Sequence, residues 1–124
     1  MNRKKWGFEN LEVWQLFLIQ NKILYARFLP NRKADWDIIR QMRRAMVSVG
    51  LNIAEGYSRQ HTKEKIQFLN ISKASLNEVK ACLLIMESLT TYENDLHFIS
   101  SLLSQLSLLD TKILHLIRYF ENKR

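Results

Sequence analysis

Along four stretches of the 124-residue chain, apolar residues return every three or four positions, the interval that places side chains on one face of an α-helix. The first stretch runs from about Glu9 to Phe28 and stops before Pro30, whose ring disfavours helical backbone at Leu29, so "PNRKA" reads as a turn. The second starts near Asp35, a good N-cap with Asp37 in the positive first turn, and continues to about Gly56 or a few residues beyond. Thr62 is the expected cap of the third, which runs through "KIQFLNISKASLNEVKACLLIMESL" to about Thr90, and "TTYEN" is the next turn. With Asn94 or Asp95 as cap, the fourth carries Ile99, Leu102, Leu106, Leu109, Ile113, Ile117 and Phe120 in a single apolar stripe. Four such segments with short polar breaks and no linker predict an all-α fold, an antiparallel four-helix bundle, in one domain over residues 1–124. Residues 1–8 are expected to be a flexible basic arm.

The second segment, within "IRQMRRAMVSVGLNIAEGYSRQ", has more than one face to account for. At about 100° per residue, Ile39, Met42, Met46, Val49, Ile53 and Tyr57 share one side and make the expected core face. Arg44, Ser48, Asn52, Glu55 and Arg59 line the opposite side, with Val47, Leu51 and Ala54 beside them. A monomer would leave that second apolar patch in water, so these eight residues are read as an interface between subunits. Within the line, Glu55 falls in register with Arg44 and Arg59 and is expected to be structural, clamping a neighbouring helix.

Composition narrows the chemistry. The net charge is +7, and the excess lies in the first half: 13 basic and 6 acidic residues up to Lys65, against 6 of each beyond it. Such a field favours polyanions. Arg40 and Arg43, with Arg32 and Lys33 in the preceding turn, are candidate phosphate contacts, because guanidinium forks match phosphate oxygens. Arg3, Lys4 and Lys5 beside Trp6 add a basic arm with an aromatic ring that bases could stack on. No Gly-rich phosphate loop, metal-ligand spacing or paired-carboxylate pattern appears, so no enzyme, metal or cofactor is expected. Cys82, among Val79, Leu83 and Met86, reads as a small core residue, and Ser100, Ser101, Ser104 and Ser107 as the outer face of the last helix. No stretch is long and apolar enough to span a bilayer and no signal-peptide pattern is evident, so the expected setting is the cytoplasm, without a membrane partner.

"FENLEVWQ", "MRRAMVSVGLNIAEGYSR" and "FLNISKASLNEV" together resemble the four-helix-bundle family encoded by intervening sequences within bacterial 23S ribosomal RNA genes. The family's Arg-Arg pair falls on Arg43 and Arg44, its Asn-Ile-Ala-Glu-Gly on Asn52 to Gly56, and its third-helix Ser-Leu on Ser75 and Leu76. Gly50 stands where the family's proline is expected, which leaves a kink there less enforced. That family is similar in fold to the accessory variability protein of diversity-generating retroelements, a basic pentameric barrel that binds nucleic acid and a reverse transcriptase. The resemblance therefore implies a ring-like homopentamer. It implies no single biochemical activity.

The resulting expectation is a non-enzymatic, homo-oligomeric accessory protein that binds nucleic acid through phosphate contacts, with RNA or an RNA/DNA hybrid favoured by analogy. The alternative is a structural or adaptor oligomer that docks a partner protein such as a reverse transcriptase.

Overall fold

A computed structural model of the chain describes residues 3–28 and 36–123. It contains four α-helices, α1 (Glu12–Arg27), α2 (Trp36–Ser58), α3 (Thr62–Glu87) and α4 (Leu96–Glu121), and no strand among the described residues. Short 3-10 helices at Gly7–Asn10 and Thr90–Asp95 precede α1 and α4. Each helix packs on the next and α1 closes the circuit against α4.

Pairing along the seams runs in opposite senses, which makes the bundle antiparallel. Phe17 of α1 lies at Gly50 of α2, whereas Phe28 beyond its end meets Arg43. On the α2/α3 seam Gln41 meets Glu78, Ser48 meets Ser75, and Gly56 meets Lys65 and Phe68. On the α1/α4 seam Glu12 pairs with Lys112, Gln20 with the Gln105 carbonyl, and Arg27 with Asp95. The core lies between these seams. All seven residues of the expected α4 stripe are buried, as are Ile39, Met42, Met46, Val49 and Ile53 of α2. Tyr57, expected with them, is only half-buried, because the α2 face rolls outward there against the chain at Gly7. Cys82 is buried, with its thiol pushed up by burial and by Glu78, and the four serines of α4 are exposed.

Three local readings change. Leu11 is extended (φ −73°, ψ 136°), so the first segment divides into a 3-10 turn and a helix that begins at Glu12. Thr62 is the first helical residue of α3, with His61 in the cap position. "TTYEN" is a 3-10 helix whose Tyr92 is buried and packs edge-on to Phe28, ring centroids 6.2 Å apart. Asp95 does precede α4, but its carboxylate accepts hydrogen bonds from Arg27 (2.8 Å) and makes no side-chain cap.

Gly50 has a role other than a kink. Helix α2 continues from Trp36 to Ser58, and a β-carbon at position 50 would overlap the ring of Phe17, which is itself buried. The glycine is a notch that brings α1 onto α2. Gly56 does the same towards α3, where a β-carbon would sit 3.0 Å from Phe68 Cβ and 3.1 Å from the Lys65 carbonyl. Beside the first notch the buried Ser72 hydroxyl donates to the Val49 carbonyl at 2.8 Å, satisfying a polar group inside the α2/α3 seam.

Asp110 of α4 clamps α3, taking Lys73 Nζ at 2.5 Å and Lys80 Nζ at 3.0 Å. Burial raises its carboxyl affinity for a proton, but the two ammonium hydrogen bonds outweigh burial and hold it below its ordinary value.

Gly50→Ala is expected to cost about 1–3 kcal/mol in chemical denaturation, because the buried Phe17 ring must move. In a Phe17→Leu background the same change should cost clearly less. Asp110→Asn should cost about 1 kcal/mol at neutral pH, the pair being partly exposed. Since a lowered carboxyl stabilises the fold above the unfolded value, the deficit should shrink as pH falls from about 5 to below about 3. Urea titrations of both proteins over that range measure it.

Candidate nucleic-acid interface

Helix α2 leaves the bundle core on the side where α1 ends, and the outward residues there form an open cleft of about 470 Å³. Arg40, Arg43 and Arg44 line it together with Val47, Ser48, Leu51 and Asn52 of α2 and Tyr25 of α1. The candidate phosphate contacts and the candidate subunit contacts thus occupy one place, half a helix long. The reason is helical spacing: residues 40, 43, 44, 47, 48 and 51 advance around a single edge of α2.

The three arginines differ in their surroundings. Arg43 donates from Nη1 to the Phe28 carbonyl oxygen at 2.8 Å, and its guanidinium carbon lies 3.5 Å from the Tyr25 ring centroid. That carbonyl belongs to the unclosed last turn of α1, so Arg43 both satisfies it and ties α1 to α2. Arg43 is therefore a structural splice as well as a surface cation. Arg40 is exposed and lies 3.9 Å from Asp37, one turn earlier. Arg44 is exposed and reaches from the cleft towards a polar hollow shared with Gln41, Ser75 and Glu78.

The polar line along α2 does not face outward throughout. Ser48 Oγ is 2.8 Å from Ser75 Oγ on α3, and the Asn52 amide donates to the Ser48 carbonyl at 2.8 Å, so these two groups serve the protomer's own α2/α3 seam. Arg44 and Glu55 cannot pair within the helix, since eleven residues separate them by about 16 Å. Glu55 instead takes Arg59 at 2.5 Å, and the Arg59 guanidinium lies 4.6 Å from the Phe68 ring centroid. Val47 and Ala54 are half-buried, whereas Leu51 is 63% exposed and stands out as the apolar residue of this face.

The expected arm is not free from residue 3 onward. Arg3 donates two hydrogen bonds to Glu9 (2.6 and 2.9 Å), and Glu9 also accepts the Trp6 N–H at 2.7 Å. Arg3 first and Trp6 second draw the Glu9 carboxyl down to about 2. Lys4 and Lys5 remain exposed, whereas Arg32 and Lys33 lie outside the described residues.

Tyr25 was not among the sequence candidates. Its signal is present only once α1 and α2 are known to be antiparallel, which brings position 25 beside position 43. Among the described residues no group of three or more His, Cys, Asp or Glu side chains could hold a metal ion, and no helix is long and apolar enough to cross a membrane.

No curated protein matches the chain. The family model of the 23S rRNA-intervening sequence protein matches residues 9–112, which takes in α1, α2, α3 and more than half of α4, including every residue of the cleft. The chain belongs to the 23S rRNA-intervening sequence protein family.

Proposed function

We propose that this protein is a non-enzymatic, homo-oligomeric accessory protein that binds nucleic acid through phosphate contacts in the α2 cleft. The observation that carries the reading is the convergence of Arg40, Arg43 and Arg44 on one open face of a chain with net charge +7. Arg43 is held in orientation by Tyr25 and Phe28 yet uses one of its five donors there, so further donors are presented with little entropy left to lose. Arg40 and Arg44 flank it as longer-reaching contacts. The Asn52 amide is engaged by Ser48 of its own helix, and the binding proposed for the arginines is directed at the phosphate backbone. The analogy with the retroelement accessory protein favours RNA or an RNA/DNA hybrid, and a ring of five subunits would repeat the arginine cluster around its circumference.

Leu51 supports the oligomeric part. An exposed leucine beside Val47 and Ala54 is apolar surface that a neighbouring subunit would cover. The same residue favours a second reading, an adaptor whose cleft docks a partner protein such as a reverse transcriptase through Leu51 and the arginines.

In binding titrations with RNA, single-stranded DNA and duplex DNA across a salt series, Arg40→Gln with Arg43→Gln should weaken all sequences alike. Each lost phosphate contact should flatten log K against log salt by about 0.7–0.9. Arg43→Gln alone should also lower the melting temperature, since it releases the Phe28 carbonyl. An assembled double variant with unchanged affinity and slope would put the adaptor reading in front. Leu51→Glu should dissociate the oligomer with helicity retained, read by light scattering and circular dichroism. A wild-type monomer at micromolar concentration would remove the oligomeric reading.

A further inference from the structure

The opposite end of the protomer gathers a different set of groups. Aromatic residues cluster where α1 begins and α2 and α4 end, and most of their faces are already occupied. Phe8 stands edge-on to Trp14 at 4.9 Å, Arg59 covers Phe68, and Lys65 Nζ lies 5.2 Å from the Tyr57 ring centroid and 5.4 Å from that of Phe120. Tyr119 is the most exposed of these rings. It is 53% exposed, its ring is edge-on to Phe120 at 5.3 Å, and Lys123 Nζ is 5.1 Å from its centroid. Two surface hollows of about 340 and 540 Å³ meet at this ring, both lined by Leu11, Leu116 and Tyr119. The first adds Glu12, Lys112 and His115, with Lys112 Nζ 3.3 Å from the exposed Glu12 carboxylate, and the second adds Lys65. Trp6 is 70% exposed at the same end, where Gly7 brings the chain to within 3.3 Å of the Tyr57 ring for a β-carbon built on it.

We propose that this end is a second nucleic-acid site, distinct from the α2 cleft, at which unpaired bases stack on Tyr119 while Lys123, and Lys112 released from its exposed pair with Glu12, meet the adjoining phosphates. A half-exposed aromatic ring beside Lys123 and Lys112 fits a ligand with flat π-faces and negative charge at regular intervals, and single-stranded nucleic acid has both. A protein partner of ordinary apolar character would leave the Lys123 ammonium without an anion on burial. A duplex hides its base faces in the stack and fits the ring poorly. Stacking is indifferent to the sugar, so single-stranded RNA and single-stranded DNA share this chemistry. Arg43 and Tyr57 are fourteen residues of α2 apart, about 21 Å along the helix axis.

The inference rests on the nucleic-acid reading above but on separate residues, and one set of titrations distinguishes them. Labelled single strands of RNA and DNA of mixed sequence, and a duplex of the same sequence, are titrated with wild type, Tyr119→Ala, Tyr119→Phe and the Arg40/Arg43 double variant at several salt concentrations. Tyr119→Ala should weaken single-strand binding by roughly 5- to 150-fold, the loss of one stacked base, with the duplex affinity and the salt slope unchanged. Tyr119→Phe should bind as wild type does. A loss on RNA alone or on DNA alone overturns it, since stacking does not read the sugar. Unchanged single-strand affinity in Tyr119→Ala, an equal loss on the duplex, or a loss in Tyr119→Phe as large as in Tyr119→Ala overturns it. If only the arginine variant is impaired, the cleft reading stands and this one falls; if wild type binds none of the three, both fall. The exposure of Tyr119 makes the alanine variant compatible with folding, which its circular dichroism spectrum checks.

Discussion

The closeness with which α2 is approached from two sides is the constraint on which the rest of the molecule depends. Gly50 receives the Phe17 ring on one flank, and Gly56, with the Ser72 hydroxyl on the Val49 carbonyl, receives α3 on the other. Neither approach tolerates an ordinary side chain. Once the helices are that near, the long residues that follow in register have only one place to go. Tyr25 must lie beside Arg43, Ser75 beside Ser48, and Lys65 beside the last turn of α2, where its ammonium donates to the Tyr57 carbonyl at 2.6 Å. Burial of that amine lowers its proton affinity, a cost offset by satisfying an otherwise open helix end.

The cleft is a by-product of this geometry. Because α1 ends beside the first half of α2, the outer edge of α2 from Arg40 to Asn52 is overhung at Tyr25 and otherwise left open. An arginine at 43 is fixed by the overhang, whereas the one at 40 lies beside Asp37, one turn earlier on α2. Other cations are matched by carboxylates within the fold: Arg27 by Asp95, Lys73 and Lys80 by Asp110, Lys112 by Glu12, Arg59 by Glu55.

Periodicity made the helices and their inward faces legible, most clearly in α4, whose stripe is buried from Ile99 to Phe120. A pattern of spacings reports direction around one helix, and it is silent about what lies opposite. For that reason Gly50 was readable as a weak point in a helix but not as a seat for Phe17. Ser48 and Asn52 read as outward because they are polar, although a serine on α3 makes that polarity internal. Arg44 and Glu55 seemed matched by angle while being far apart along the axis. Tyr92 was hidden in a segment with turn-like composition, because its burial depends on Phe28, 64 positions away in sequence. Of the cleft, the cations and Leu51 were legible, and Tyr25, which belongs to another helix, was not.

The seam between α2 and α3 also has a bearing on how the chain acquires its shape. Only residues 59–61 separate these two helices, so bringing them together encloses a short loop and sacrifices little chain entropy. Their contacts are local in sequence and their interface is the most extensive in the bundle. This makes the α2/α3 hairpin the natural nucleus, with the notch at Gly50 standing open on its far side until Phe17 arrives. Docking of α1 then comes late, and with it the stacking of Arg43 on Tyr25. The arginine edge would be the last feature of the protein to be shaped, completed only when the first helix made is finally put in place.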